Sequence, residues 1–358
     1  MENTIILEIT LSVEQVAFGG QGLGRLPDGK VCFFPGAIPG ERVQVRIRRQ
    51  RASYAEADLV KILEASPDRV KPPCPVYGRC GGCQYQHVNY PRQLVIKRDQ
   101  VADTLRRLGG LADPPVEDTV PSPLEYGYRN RITVHAKAGR VGFFEPRSRK
   151  IVGVSQCPIA SAPVNALLTE LRSSRPQDGE YPLREPGEFR GFRQVNDAVA
   201  ACLLDVVEDM ARPGGALLVD AYCGAGFFAK RLREMFRLTI GVEWSVDAVR
   251  AAREGVREGE IYLLGDVKRH LVPALAAAPG EGTTLLLDPP TEGLDPEILA
   301  FVLGRLPARI IYISCNPATL ARDIKRLSGA YSVRRVKPVD MFPQTAEIEV
   351  AALLEKLP

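Results

Sequence analysis

From about Ile6 to Ala65 apolar and polar residues alternate in short runs, broken by turn residues at Gly19, Gly20, Gly22 and Gly24, at Pro35-Gly36 and at Pro39-Gly40. Short strands at this spacing predict a small β-barrel. Within it, Val43, Val45 and Ile47 share one face of a strand, and Gln44, Arg46 and Arg48 share the other. A helical stripe over Leu94, Val101, Leu105 and Leu108 stops at Gly109-Gly110, and from about Val116 to Glu188 the pattern is β-rich and irregular. After Arg190 the texture changes. Short apolar strands at 217–220, 238–242, 261–264, 284–287 and 310–314 alternate with helical stretches, which predicts an α/β fold with a doubly wound, mostly parallel sheet. Three modules are expected: a barrel over 1–66, a small β-rich domain over 67–92 and 116–188, and the α/β domain over 93–115 and 189–358.

The ends of the predicted strands carry the candidate chemistry. Asp220, Glu243, Asp266, Asp288 and Cys315 each stand where a strand gives way to a loop, the edge of an open α/β sheet at which ligands bind. The turn Ala221-Tyr222-Cys223-Gly224-Ala225-Gly226 lets the backbone approach a ligand closely, and Glu243, 19 residues after Gly224, can hold ribose hydroxyls. The turn lacks the third spaced glycine that a pyrophosphate would ask for, so S-adenosylmethionine fits better. Pro317 is pre-set for the first turn of a helix, and a helix N-terminus beside Cys315 would favour the thiolate. The alternative for Cys315 is a small buried core residue.

Composition narrows the class. A chain of 358 residues that is 45% hydrophobic and 25% charged is long enough for two or three ordinary globular domains. No apolar run reaches membrane-spanning length and no basic-then-apolar leader opens the sequence, so a cytoplasmic location without a membrane partner is expected. The net charge is only +4, yet residues 41–107 hold 14 Lys and Arg against 7 Asp and Glu. That excess suits a nucleic-acid surface, with Arg46 and Arg48, extended by Arg49 and Arg51, as a basic edge on the barrel; a solvated basic face is the alternative. Eight cysteines in such a chain point to metal binding or catalysis rather than disulfides. Cys74, Cys80 and Cys83, spaced C-x5-C-x2-C around Gly81-Gly82, need a fourth ligand, for which polar-flanked Cys157 is the candidate; spacing alone admits zinc or a [4Fe–4S] cluster. Cys32, Cys202 and Cys223 are assigned to packing, and His87, His135 and His270 to ordinary surface or core positions.

Several motifs together carry a resemblance. Asp288-Pro289-Pro290 is similar to a motif of methyltransferases acting on bases, but Thr291 replaces the stacking aromatic usual in enzymes that methylate exocyclic amino groups. The runs Ser314 to Asp323 and Asp340-Met341-Phe342-Pro343-Gln344-Thr345, with Glu349, resemble the two closing motifs of the RNA uracil-C5 methyltransferases that make 5-methyluridine. Phe192-Arg193-Gln194-Val195-Asn196 matches that family's motif ahead of the cofactor domain, the four cysteines match its [4Fe–4S] ligands, and the barrel resembles its TRAM domain. The resemblance spans nearly the whole chain. It implies a Rossmann-like class I methyltransferase domain with Cys315 as nucleophile and Glu349 as base, and with Gln194, Tyr222, Glu243 and Asp266 holding S-adenosylmethionine. Gly224 and Gly226 line that site, and Asp288 contacts the uracil edge or the cofactor. It further implies an RNA partner, ribosomal favoured over transfer RNA, and a monomer. The chain departs from the family at Thr291, where many members have Arg, at Glu347, where many have His, and at Ser148-Arg149-Lys150, which replaces a Ser-His pair. Two other functions stay open: a non-catalytic iron–sulfur RNA-binding protein, and amino-group methylation, which would leave Cys315 idle.

Overall fold

The protein is seen in a computed structural model that describes residues 8–187, 193–277 and 282–358. The chain divides into two compact units, one comprising Met1–Gln100, Leu124–Glu185 and Phe342–Glu347, the other Val101–Pro123, Pro186–Met341 and Ile348–Pro358.

The first unit holds two sheets. Strands Glu8–Ser12, Gln15–Ala17, Gln21–Arg25, Val31–Pro35, Arg42–Gln50 and Tyr54–Glu64 form a six-stranded sheet in the spatial order first, fifth, sixth, fourth, third, second. Alternation holds as expected: Val43 and Val45 are buried with Leu11, Phe34 and Ala57, while Arg42, Arg46 and Arg48 are exposed. Arg46 and Arg48 of the basic edge are, however, neutralised, as is nearby Arg42. Arg46 lies opposite Glu8 in the register and pairs with it at 2.8 Å, Arg42 pairs with Glu64 at 3.1 Å, and Arg48 with Glu56 at 2.8 Å. Oppositely charged residues on neighbouring strands face each other across the ladder, which a one-dimensional charge count cannot register.

The second sheet of this unit comprises Arg131–Lys137, Arg140–Phe144, Ile151–Gly153 and Gly179–Arg184, against which helix Ala162–Ser173 buries Val164 and Leu168. The short segment Phe342–Glu347 is anchored in the same unit. The Gln344 carbonyl accepts from the amides of Gln84 and Tyr85 at 3.1 and 2.9 Å, and its side chain and amide exchange hydrogen bonds with the buried side chain of Gln93. The Phe-Pro-Gln-Thr run of the closing motif is therefore a structural plug, held by amide-to-amide pairing.

The second unit is built on a seven-stranded sheet. Its strands, in chain order, are Gly215–Ala221, Phe236–Glu243, Glu260–Leu264, Thr283–Leu287, Arg309–Ser314, Tyr331–Val339 and Glu349–Lys356, and in space they run third, second, first, fourth, fifth, seventh, sixth. The first five are parallel, and their unbroken apolar runs fit strands covered on both faces. The order reverses between Gly215–Ala221 and Thr283–Leu287, the switch point at which such sheets open a crevice. The last two strands, which the sequence pattern did not announce, run antiparallel, Glu349–Lys356 beside Arg309–Ser314.

Candidate active site

Strand register brings Cys315 and Glu349 together. Arg309 pairs with Glu355 and each step holds the same offset to Ser314 with Val350, so the next residue on each chain places Cys315 beside Glu349. Asp288 follows the neighbouring parallel strand, in which Leu287 pairs with Tyr312. Glu349 is 6% exposed, and burial followed by the Asp288 charge raises its carboxyl well above the usual carboxylate range. Burial raises Asp288 to about 7. A buried carboxyl, a half-buried one and a thiol thus share one corner of the rim.

The thiol itself behaves differently from the expectation drawn from the helix after it. Cys315 is held above the ordinary thiol value, chiefly by burial, while the charges of Glu349 and Asp288 push the same way and a contact with Thr291 opposes them. The helix Pro317–Leu327 does begin where expected, but its first amides are already used. Asn316 caps it by accepting from the Ala318 amide at 3.0 Å, and the Asn316 amide donates to the Ser314 hydroxyl at 3.1 Å. Donors satisfied by caps have little left for a sulfur, and burial decides the direction.

The other end of the rim is built on a tight turn after strand Gly215–Ala221. Tyr222 takes a left-handed conformation, φ 69°, rare for a non-glycine residue and a mark of backbone constrained around a site. Gly224 (φ 55°) and Gly226 (φ 82°) continue the turn, where a side chain would be strained. The Glu243 carboxylate is fixed at both oxygens, accepting from the Gly224 amide at 3.1 Å and from the Ser245 amide at 2.8 Å. Asp220, fully buried, accepts from the Ala229 amide at 3.0 Å, so it braces the turn and the following helix. Asp266 caps helix Val267–Ala276 through the Lys268 amide at 2.9 Å. Gln194 comes from the segment leading into helix Asp197–Ala211, capped by Asn196, and not from a strand end; Phe192 of the same motif lies outside the described residues.

Two features escaped the sequence. Trp244, the single tryptophan, stands 77% exposed directly after Glu243, a flat apolar face beside that carboxylate. Thr291 places its hydroxyl 3.6 Å from the Cys315 sulfur.

The first unit carries its own candidate site. Cys74, Cys80, Cys83 and Cys157 all line a single cavity of about 560 Å³, together with Tyr77, Gly81 and Gly82. None is cross-linked. The Gly82 amide donates to the Cys80 sulfur at 3.4 Å, and Asn165 grips the Cys157 backbone from both sides, accepting from its amide at 2.8 Å and donating to its carbonyl at 3.1 Å. Burial raises the Cys83 thiol to about 12, and the other thiols add to it. Among the described residues no three such side chains stand ready for a single metal ion. The donor set, four thiols around one roomy cavity, fits a four-thiolate cluster.

Comparison with known proteins decides the family. The family described as tRNA (Uracil-5-)-methyltransferase matches residues 280–357, the stretch holding Asp288, Cys315 and Glu349, and the TRAM domain matches residues 7–60. An uncharacterized RNA methyltransferase from Gloeobacter violaceus is 32% identical over 97% of this chain and 96% of its own, and one from Bdellovibrio bacteriovorus is 34% identical over 97% and 95%. The chain belongs to the RNA uracil-5-methyltransferase family. It is an RNA methyltransferase that uses S-adenosylmethionine. The fold agrees with that of Pyrococcus abyssi tRNA (uracil-54, C5)-methyltransferase in complex with S-adenosyl-L-homocysteine, with a TM-score of 0.70, 22% identity, and coverage of 97% of this chain and all of that one. No helix among the described residues of this methyltransferase is long and apolar enough to cross a membrane.

Proposed function

We propose that this methyltransferase modifies uridine C5 in ribosomal RNA through a covalent bond between Cys315 and the uracil ring. The observation that carries the reading is the strand register that sets Cys315 beside Glu349 with Asp288 on the next strand. Uracil C5 is too weak a nucleophile to be methylated unaided. The Cys315 sulfur, once ionised, bonds to C6 and the C5=C6 electron pair shifts toward the carbonyl at C4, so C5 becomes enolate-like. Asp288, protonated up to about 7, can donate to that carbonyl oxygen as charge develops on it. S-adenosylmethionine supplies an electrophilic methyl group, which C5 takes up in line. Glu349 then removes the C5 proton, the C–H pair restores C5=C6, and the Cys315 thiolate leaves. Burial raises the Glu349 carboxyl, so its carboxylate holds a proton more firmly than a free one, which suits a proton acceptor.

Glu243 would hold the ribose of the cofactor, Trp244 would offer its face to the adenine, and Gln194, Tyr222, Gly224, Gly226 and Asp266 would complete the site. Cys74, Cys80, Cys83 and Cys157 would hold a [4Fe–4S] cluster, whose work is structural, since the methyl transfer needs no electron. Because a base in stacked RNA hides C5 and C6, the target uridine would be flipped out. The preference for ribosomal over transfer RNA rests on the family resemblance, in which the barrel and the four-cysteine module occur together in many ribosomal members and also in archaeal-type transfer RNA enzymes. The test is transfer of labelled methyl groups to unmodified ribosomal and transfer RNA, each followed by nucleoside analysis. Label in 5-methyluridine of the ribosomal fraction, abolished by Cys315→Ala, is the expected result. Label confined to the transfer fraction would move the substrate, and label that survives Cys315→Ala would overturn the covalent route.

A further inference from the structure

We propose that Thr291 holds the Cys315 sulfur in its ionised form, through a hydrogen bond from a hydroxyl that helix Pro317–Leu327 locks in place. The inference rests on Cys315 being the nucleophile and adds what makes it one. The hydroxyl oxygen lies 3.6 Å from the sulfur. While Cys315 is protonated either group can donate; once it is a thiolate only the hydroxyl can, and a hydrogen bond to an ion is the stronger one. The contact therefore favours the reactive form selectively.

Every charged group known to act on the sulfur opposes ionisation. Glu349 approaches from strand Glu349–Lys356 and Asp288 from the end of Thr283–Leu287, and both carry like charge when ionised. The helix contributes polar Asn316 at its cap, while its Arg322 and Asp323 are turned to the 291–294 segment. The Cys315 amide acts in the same sense as Thr291, which is the side-chain donor set against the two carboxyls.

Its position is fixed by a set of hydrogen bonds that serve no evident other purpose. The Thr291 carbonyl accepts from the Asn316 side chain at 3.3 Å and from the Thr319 hydroxyl at 3.1 Å. Arg322 donates to the Glu292 carbonyl at 2.8 Å, and the Leu294 amide donates at 2.8 Å to Asp323, which is wholly buried and also accepts from Tyr312 at 2.9 Å. Gly293 lies between, at φ 78°, where a Cβ would stand 2.5 Å from the Arg322 guanidinium and 2.6 Å from the Asp323 carboxylate. Strapped at Thr291, Glu292 and Leu294, the segment holds the backbone from which the hydroxyl reaches the sulfur.

The experiment is the pH profile of Cys315 alkylation by iodoacetamide in the intact, cluster-loaded protein without RNA, read at the Cys315 peptide by mass spectrometry. Thr291→Val should move the midpoint upward by about one unit and slow alkylation below it about tenfold. Thr291→Ser, which keeps the hydroxyl, should restore the wild-type profile. Thr319→Val, which leaves Thr291 intact but removes one of its anchors, should shift the midpoint the same way by less, and it serves if the first variant does not fold. Coincident wild-type and Thr291→Val profiles, or a Thr291→Ser profile like that of Thr291→Val, would overturn the proposal. If Thr291→Val does not fold, a Thr319→Val profile coincident with wild type does the same. Because no RNA is present, this outcome is separate from the fate of the nucleophile reading, which Cys315→Ala decides by methyl transfer.

Discussion

Cys83 and Cys315 are both thiols that burial makes harder to ionise, yet their neighbours differ in kind. Around Cys83 the same cavity gathers Cys74, Cys80 and Cys157. Around Cys315 stand Glu349, Asp288 and the Thr291 hydroxyl. Four soft donors can each give up a proton to a metal–sulfur bond, so the proposed cluster would meet the cost of ionising them. A single thiol between carboxyls has no such set of partners; in the proposed mechanism its sulfur would bond carbon and leave again. Cys32 completes the contrast, since burial in the barrel core raises it to about 11 and it has only apolar company. Neighbours, more than burial, set what a cysteine in this chain can do.

The sharpest way to break the comparison is to remove the two rim groups in turn. Cys315→Ala should abolish methyl transfer. Glu349→Gln should slow turnover by about 10²–10⁴-fold and, because the adduct can no longer lose its C5 proton, accumulate an RNA-linked protein that survives a denaturing gel. The double variant should show no such band; a band of equal strength in it would mean that another residue forms the bond.

A second cut separates the two thiol sites. Cys83→Ser should lose iron and labile sulfide and melt several degrees earlier, while Cys315 keeps its alkylation profile. Cys315→Ala should retain the full iron content. Iron lost equally in both variants would erase the distinction.

Much of the rim was legible because parallel strands announce themselves as buried apolar runs, and the residue after each run must fall on the ligand-binding edge. That logic found Asp220, Glu243, Asp266, Asp288 and Cys315. It could not find the placement of Glu349 without the family motif, because an antiparallel strand inserted out of chain order puts that residue at the rim. Nor could it foresee that the helix after Cys315 would spend its first amides on Asn316 and Ser314, or that Arg42, Arg46 and Arg48 would each meet a carboxylate across the sheet. These outcomes depend on which side chain lies across a ladder, and spacing along the chain does not encode it. The four cysteines were legible as a set, yet the grip of Asn165 on Cys157 appears only in three dimensions.

Asp288 offers a gentler test of the carboxyl-rich rim. Unfolded, its carboxyl ionises near 3.8, whereas in the fold it keeps its proton to about 7. Between those values the folded state binds the extra proton, so stability falls as pH rises through that window. Asp288→Asn should remove this slope and raise the melting temperature at neutral pH. Parallel melting curves against pH for the two proteins would show that the rim does not hold Asp288 neutral.

The smallest effect is expected where a thiol has neither kind of company. Cys202 lies on helix Asp197–Ala211, half-buried, its sulfur 3.5 Å from the Ala198 carbonyl one turn back. A serine hydroxyl makes the same bond to the preceding turn, so Cys202→Ser exchanges one weak donor for another without opening a cavity. Stability should stay within about 0.5 kcal/mol of the parent by denaturant titration, with methyl transfer and iron content unchanged. Loss of either would mean that a thiol outside both sites takes part in one of them, and company at the rim or the cavity would no longer distinguish the working cysteines from the packing ones.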